Sequence, residues 1–135
     1  MTKLKVSRKA HFNAAHRLFR KDWSDEKNKA VFGKCSNPNY HGHNYDLIVS
    51  VTGAIDPKTG FVIDLKILKE LVEQKVEDHL DHKNLNLEVP EFKDLNPTVE
   101  NIAIVIYNRL KPFLEQFELE VVLYETPRNY VTYSG

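Results

Sequence analysis

The spacing of apolar residues changes twice along this chain, and these two changes restrict its fold more than any other feature. Residues 3–17 read as an extended strand with imperfect alternation, and residues 45–55 alternate more regularly. A helical period replaces this alternation in the middle of the chain, and residues 119–125 and 130–134 return to it as a closing hairpin. The order ββααββ predicts an α+β domain, with a four-stranded antiparallel sheet and two helices on one face.

The two predicted helices have clear starting signals. Asp64 can cap a helix over residues 65–80, whose apolar stripe consists of Leu68, Leu71, Val72, Val76 and Leu80. Pro97 precedes Thr98, where the second helix should begin before running to about Phe113. Both helices are therefore expected to bury one face on the sheet.

The connections are less regular. Residues 18–40 are polar and turn-rich, with one short helical turn expected after Ser24. The DPKTG stretch at residues 56–60 predicts a turn, and the FVID stretch at residues 61–64 predicts a short strand after it. We find no linker or internal repeat, so residues 1–135 are predicted to form a single domain.

The predicted sheet has edge strands whose backbone groups need to be covered or paired. Few charges or prolines interrupt VVLYE and LIVSV, although exposed strand edges usually carry such residues. Pairing with further copies of the chain, closing into a barrel, is the assembly that this pattern favours.

Composition excludes several classes of partner. Nineteen basic residues balance nineteen acidic ones, and no basic stripe is present, so we expect neither nucleic acid nor a membrane surface as a partner. A single cysteine excludes an internal disulfide and fits a reducing compartment. The start MTKLKVSRKA lacks the apolar core of a signal peptide, so a cytoplasmic protein is expected.

The HGH stretch at residues 41–43 predicts a metal site. On a strand, His41 and His43 would point to the same face, although an isolated pair of this kind is more often solvated. His16 ends the first strand and is the best third ligand, whereas His11 has the opposite parity and should face the other way. Three imidazoles with one open position are the pattern of a catalytic zinc site.

The role of Cys35 stays open on spacing alone. It could be a fourth zinc ligand, a small buried residue, or a thiolate base beside the metal. If Cys35 were the fourth zinc ligand, the site would be closed, and the protein would be a non-catalytic zinc-binding oligomer.

Several separated motifs, in the same order nearly end to end, resemble the 6-pyruvoyl-tetrahydropterin synthase family of pterin enzymes. They are VSRKAHFNAAHRL, FGKCSNPNYHGHNY, IDPKTGFVIDL, LDHKNLNLEVP, PTVENIA and ETPRNYVTY. The resemblance implies the tunnelling fold, in which the sheets of three subunits join into a barrel and two trimers stack as a hexamer. It also implies that His16, His41 and His43 bind zinc, with Cys35 as the catalytic base outside the metal shell.

Other site residues follow only from the resemblance. Asp81 and His82 would activate the cysteine of a neighbouring subunit, and Glu125 would anchor the pterin ring with help from Glu100 and Thr98. A carboxylate suits this role because it accepts two adjacent N–H groups at once. From the residues themselves, the Asp81 carboxylate can orient the His82 imidazole so that it accepts a proton. A histidine at a helix end is, however, favourable without any catalytic role.

The implied reaction converts 7,8-dihydroneopterin triphosphate to 6-pyruvoyl-tetrahydropterin with elimination of triphosphate, in tetrahydrobiopterin biosynthesis. Magnesium would accompany the triphosphate, but no residue identifies its site; Arg17 and Lys34 are nearby candidates for holding the phosphates. The rival is 6-carboxy-tetrahydropterin synthase of queuosine biosynthesis, whose usual CxxxHGH spacing is shorter than the spacing between Cys35 and HGH. Tyr40 departs from the family pattern, which commonly has Gly there.

Overall fold

A single β-sheet forms the centre of the fold, and the helices pack against it. The computed structural model describes residues 2–135. Its strands are β1 Lys3–His16, β2 His41–Ala54, β3 Lys83–Asn84, β4 Glu118–Tyr124 and β5 Tyr130–Tyr133. Its α-helices are α1 Asp25–Phe32, α2 Leu65–Val72, α3 Asp78–Leu80, α4 Leu85–Glu88 and α5 Val99–Leu110, with a π-helical turn at Glu73–Glu77 between α2 and α3.

Strands β1 and β2 form the longest pairing and set the register of the site. They run antiparallel from the Lys3–Ala54 pair to the His16–His41 pair. The order across the sheet is β3-β1-β2-β4-β5. Because side chains alternate between the faces, His16, His41 and His43 all lie on the face that also carries the buried residues of the strands.

The helices cover one face of this sheet, as the apolar pattern predicted. From the strands, the core takes Tyr45, Leu47, Val49, Val51, Val121 and Leu123; from the helical segments it takes Leu68, Val72, Val76, Ile102, Ile106 and Leu110. Each fully buried side chain of this size stabilises the fold by roughly 1.5–3 kcal/mol relative to an exposed one. The predicted helix starts are confirmed, since Asp64 accepts a hydrogen bond from the Lys66 N–H and Thr98 accepts one from the Asn101 N–H. The second helix ends at Leu110 and reaches Phe113 only as a 3₁₀ turn, Lys111–Phe113.

The four-stranded antiparallel prediction is wrong in one respect, because the sheet has five strands in the described residues. The additional strand, β3, is only two residues long and pairs in parallel with Ala14 and Ala15 of β1. A segment this short shows no alternation in its sequence. It is held by a backbone hydrogen bond of 2.6 Å from the His82 N–H to the Asn13 carbonyl, a contact that sequence spacing does not reveal.

Two local predictions also fail. Residues 61–64 form no strand, because β2 is already flanked by β1 and β4 and offers no free edge to the chain that follows it. The turn closes instead through a hydrogen bond from the Asp56 N–H to the Phe61 carbonyl. The single helical turn expected after Ser24 is a helix of eight residues, α1, capped by the Ser24 hydroxyl. Within residues 2–135, no helix has both the length and the apolar character needed to cross a membrane.

Candidate active site

Three histidines converge where β1 ends and β2 begins. His16 lies opposite His41 in the strand register, and His43 follows two residues later on the same face. Their ligand atoms all lie within 4.8 Å of one another, and their ring centroids are 4.6–5.0 Å apart. His11 lies exposed on the other face, where it contacts Asp46 at 3.1 Å. The parity argument for choosing His16 over His11 is therefore confirmed.

The hydrogen bond of His16 fixes which of its nitrogens can bind a cation. Its Nδ1 lies 2.7 Å from the Pro97 carbonyl oxygen. A carbonyl only accepts hydrogen bonds, so Nδ1 carries the proton and Nε2 presents a lone pair to His41 Nε2, 3.0 Å away. Burial lowers the pKa of His16 to about 4, despite the opposing effect of the Pro97 hydrogen bond. His16 is consequently neutral at neutral pH, as a metal ligand must be.

One of two unpaired atoms in this cluster fits a metal. His41 Nδ1 and His43 Nε2 are buried and have no hydrogen-bond partner within residues 2–135. Leaving a buried polar atom unpaired costs roughly 1–3 kcal/mol. A cation among the three rings would use the lone pair of His43 Nε2 and remove one of these costs. His16, His41 and His43 therefore form a group that could hold a metal ion.

Cys35 lies beside this group but is not one of its members. It sits in a 3₁₀ turn, Gly33–Ser36, and its carbonyl accepts a hydrogen bond of 2.8 Å from the Leu18 N–H. Together with His41 and His43, Cys35 lines an open cleft of about 1190 Å³. Among the described residues, the metal-ligating group contains the three histidines without Cys35, so this geometry does not support a closed four-ligand site.

Within one chain, the surroundings of Cys35 favour the thiol over the thiolate. Burial raises the pKa of Cys35, and the carboxylate of Glu125 raises it further. Glu125 directly follows β4 and is partly buried, and its charge also acts on the pKa of His41. Glu125 is therefore electrostatically close to both Cys35 and the histidine group, although it does not line the cleft that Cys35 lines.

Asp81 and His82 form a fixed pair on the edge of the sheet, away from this cleft. Asp81 Oδ1 accepts a hydrogen bond of 2.9 Å from the Asn13 N–H, which is the main reason why the pKa of Asp81 is lowered, and its Oδ2 lies 2.9 Å from His82 Nδ1. The His82 side chain is 83% exposed. Neither residue lines the cleft that contains Cys35 in the same chain.

The remaining predicted residues lie at the start of α5. The Thr98 hydroxyl is occupied as the N-cap, accepting from the Asn101 N–H at 3.1 Å. Glu100 is exposed in the first turn, and neither residue lines the cleft. The neighbouring Pro97 carbonyl, which orients His16, gave no signal in the sequence because it is a backbone group.

A further residue beneath the histidines was also missed. Tyr45 is fully buried, stacks on Phe12 with a centroid distance of 4.9 Å, and lies edge-on to His16 and His43. Its position two residues after His43 on the same strand could have identified it. Tyr45, stacked on Phe12, therefore packs against the histidine cluster from the core side.

Comparison with known proteins assigns the family. The family described as "6-pyruvoyl tetrahydropterin synthase" matches residues 5–135. Proteins named 6-pyruvoyl tetrahydrobiopterin synthase from Pongo abelii and Homo sapiens are 50% and 49% identical over 131 residues, which is 96% of this chain and 90% of theirs. The solved 6-pyruvoyl tetrahydropterin synthase of Caenorhabditis elegans is 41% identical and superposes with a TM-score of 0.94, covering 100% of this chain and 97% of its own.

A relative from the rival branch is more distant. The 6-carboxy-5,6,7,8-tetrahydropterin synthase of Rickettsia conorii is 29% identical over 147 residues, covering 95% of this chain and 98% of its own. The full-length family match and the relatives at half identity decide the assignment. This chain belongs to the 6-pyruvoyl tetrahydropterin synthase family.

Proposed function

We propose that this protein converts 7,8-dihydroneopterin triphosphate to 6-pyruvoyl-tetrahydropterin, releasing triphosphate, in tetrahydrobiopterin biosynthesis. The observation that carries the proposal is the group of three imidazoles beside Cys35, in a chain half identical to proteins named for this activity. His16, His41 and His43 would hold zinc, for which three histidines and an open position are a common catalytic arrangement. Bound zinc would act there as a Lewis acid on side-chain oxygens of the substrate.

Cys35 is the proposed base that removes a proton from the substrate side chain. Within one chain, burial and then the Glu125 carboxylate raise the pKa of Cys35, so the thiolate needs a further stabilising charge. A group from another subunit would supply such a charge. The exposed imidazole of His82, oriented by Asp81, is suited to this when supplied by a neighbouring subunit.

Glu125 is the proposed anchor of the pterin ring. Its position just after β4, and its backbone hydrogen bond to the Asn129 carbonyl at 3.0 Å, place it on a fixed hairpin end. A carboxylate held in this way can accept two adjacent N–H groups of an aminopyrimidinone. Thr98 and Glu100 are proposed as assisting residues, and the Thr98 hydroxyl also caps α5.

The sites would be completed by assembly into a hexamer of two stacked trimers with a shared barrel. β5 is an edge strand, and β3 pairs with only two residues of β1, so both sides of the sheet leave backbone groups available for pairing. Subunits joined edge to edge would also bring the Asp81–His82 pair of one subunit towards another. Magnesium accompanying the triphosphate stays a prediction, since the only group of three metal-ligating side chains within residues 2–135 is the histidine cluster.

The product decides between this proposal and its rivals. Zinc-loaded protein is incubated with 7,8-dihydroneopterin triphosphate, and the pterin is identified by mass spectrometry. A pyruvoyl side chain with free triphosphate supports the proposal, whereas a carboxylate with acetaldehyde assigns the protein to the 6-carboxy reaction.

A Cys35→Ser variant separates the catalytic reading from a non-catalytic zinc-binding oligomer. Activity should collapse while zinc content and melting temperature stay at the parental level. Loss of zinc and stability together would identify Cys35 as a structural ligand. His11→Gln is the matched control, because His11 faces away from the cluster and its replacement should change neither zinc content nor turnover.

A further inference from the structure

One wall of the cleft beside Cys35 is rich in positive charge, and it includes Arg17 and Lys34, the two candidates that the sequence offered for the phosphates. Arg17, Lys29 and Lys34 line the cleft, against a single carboxylate from Asp25. We propose that these three cations, the basic wall, bind the triphosphate group of the substrate. The inference rests on the proposed function for the identity of the anion, although the wall itself can be tested separately.

The cations of the basic wall are available for a ligand. Neither Lys29 nor Lys34 has a carboxylate within 4.0 Å among residues 2–135, and both are exposed. Isolated surface lysines are common and carry no argument alone. Here, however, they line the same concave surface as an ordered arginine, so their charges act together on whatever enters the cleft.

Arg17 is the ordered member of the wall. Its Nε donates to the Ser36 carbonyl at 2.8 Å, and its guanidinium lies over the Phe19 ring at 3.8 Å from the centroid. Asn86 fixes the Arg17 backbone through hydrogen bonds of 2.8 and 2.9 Å. Only Nε is bonded within residues 2–135, so the terminal nitrogens remain free to donate to phosphate oxygens as a fork.

A second cleft competes for this role on the other side of Tyr40, which lines both. It contains Arg20, Lys21 and Lys93, but also Asp22 and Asp94. Its formal charge is three minus two, or +1, whereas the cleft with the basic wall has three minus one, or +2. Arg20 is moreover paired with Asp22 through two hydrogen bonds of 2.9 Å, which leaves it little capacity for another anion.

The chemistry of the substrate also favours the first cleft. The triphosphate is esterified to the end of the same short side chain whose oxygens would bind at the histidine cluster. It must therefore lie close to His41 and His43, which line the cleft with the basic wall and not the second cleft. Positive charge at this place would also stabilise the negative charge left on triphosphate when its C–O bond breaks.

Inorganic tripolyphosphate is the probe for a calorimetric test on the full chain in a buffer without added metal. Lys29→Gln and Lys34→Gln should each weaken its binding roughly tenfold, as expected for one charge-assisted contact, and added salt should weaken the parent more than either variant. Lys21→Gln and Lys93→Gln, in the second cleft, are matched controls and should bind as the parent does. Weakening in these controls, with parental binding by Lys29→Gln and Lys34→Gln, would overturn the proposal.

Kinetics distinguish failure of the wall from failure of the proposed function. With 7,8-dihydroneopterin triphosphate, Lys29→Gln and Lys34→Gln should lower kcat/KM by a similar factor, while binding of unphosphorylated 7,8-dihydroneopterin should not change. Parental kcat/KM in both variants would refute the wall even if the pyruvoyl product forms. Lysine-dependent tripolyphosphate binding without that product would support the wall and reject the proposed reaction.

Discussion

Metal-free protein should lose stability as the pH falls below neutral, mainly because of His16. This side chain is fully buried, and its pKa is lowered from 6.5 to about 4 in the folded chain. The unfolded chain therefore binds a proton at His16 at pH values where the folded chain does not. The free energy of unfolding must then decrease as the pH falls from the unfolded pKa towards the folded one.

The magnitude follows from the size of this shift. Each pKa unit corresponds to 1.36 kcal/mol, so a shift of this size destabilises the folded chain by roughly 3 kcal/mol once the pH is below both values. Between about pH 7.5 and about pH 5, where most carboxyl groups are still ionised, the expected loss from His16 is about 2 kcal/mol. Burial also lowers the pKa of His41, which adds a loss in the same direction.

The assay is urea unfolding at these two pH values, in chelator and at one fixed protein concentration, since an oligomer's stability depends on concentration. His16→Gln removes the titrating group, so its free energy of unfolding should fall with pH by about 2 kcal/mol less than that of the parent. His11→Gln, on the exposed face, should keep the parental dependence. Equal pH dependence in His16→Gln and the parent would refute the assignment of the effect to a buried neutral His16.

Three further substitutions test the backbone and the helix cap by urea unfolding. Tyr40→Gly should raise the free energy of unfolding by roughly 1 kcal/mol, because Tyr40 has φ +64°, where a side chain is strained. An unchanged free energy of unfolding would mean that contacts of the ring offset the strain. Gly33→Ala should lower the free energy of unfolding by about 2 kcal/mol through backbone strain alone, since φ is +59° and an added Cβ meets nothing within 4 Å. An unchanged urea midpoint would contradict this. Thr98→Ala should cost about 1 kcal/mol while Thr98→Ser costs little, as expected for a lost cap; equal losses would reject the capping role.

The parts of the fold that depend on periodicity could be predicted from the sequence. The starts of the helical segment from residue 65 to 80 and of α5 agree with the structure because each helix has both an apolar stripe and a capping side chain. The choice of His16 over His11 also followed from parity. In contrast, β3 and the loss of the strand at residues 61–64 depend on which sheet edges are free, and edge availability is a property of the assembled sheet.

The candidate site was predictable to a similar extent. The histidine cluster follows from two spacings, but the Pro97 carbonyl that sets the His16 tautomer is a long-range backbone contact without a sequence signal. The raised pKa of Cys35 had no signal in the sequence, because it comes from burial and from Glu125, which lies ninety residues later in the chain. Residue types indicate the chemistry, whereas the electrostatics depend on contacts between distant segments.

The two non-glycine residues with positive φ in residues 2–135 are Tyr40 and His82, and both adjoin proposed site residues. Each conformation costs roughly 1–2 kcal/mol, so the surrounding structure must hold it. The Tyr40 N–H donates to the Asn37 carbonyl at 3.0 Å, and the His82 N–H donates to the Asn13 carbonyl at 2.6 Å. In the first case the strained residue leads directly into His41, and in the second it turns His82 outward while Asp81 stays bonded to Asn13. Backbone strain that the surrounding structure holds in place is found most often at functional sites, and both strained positions here adjoin or contain a proposed site histidine.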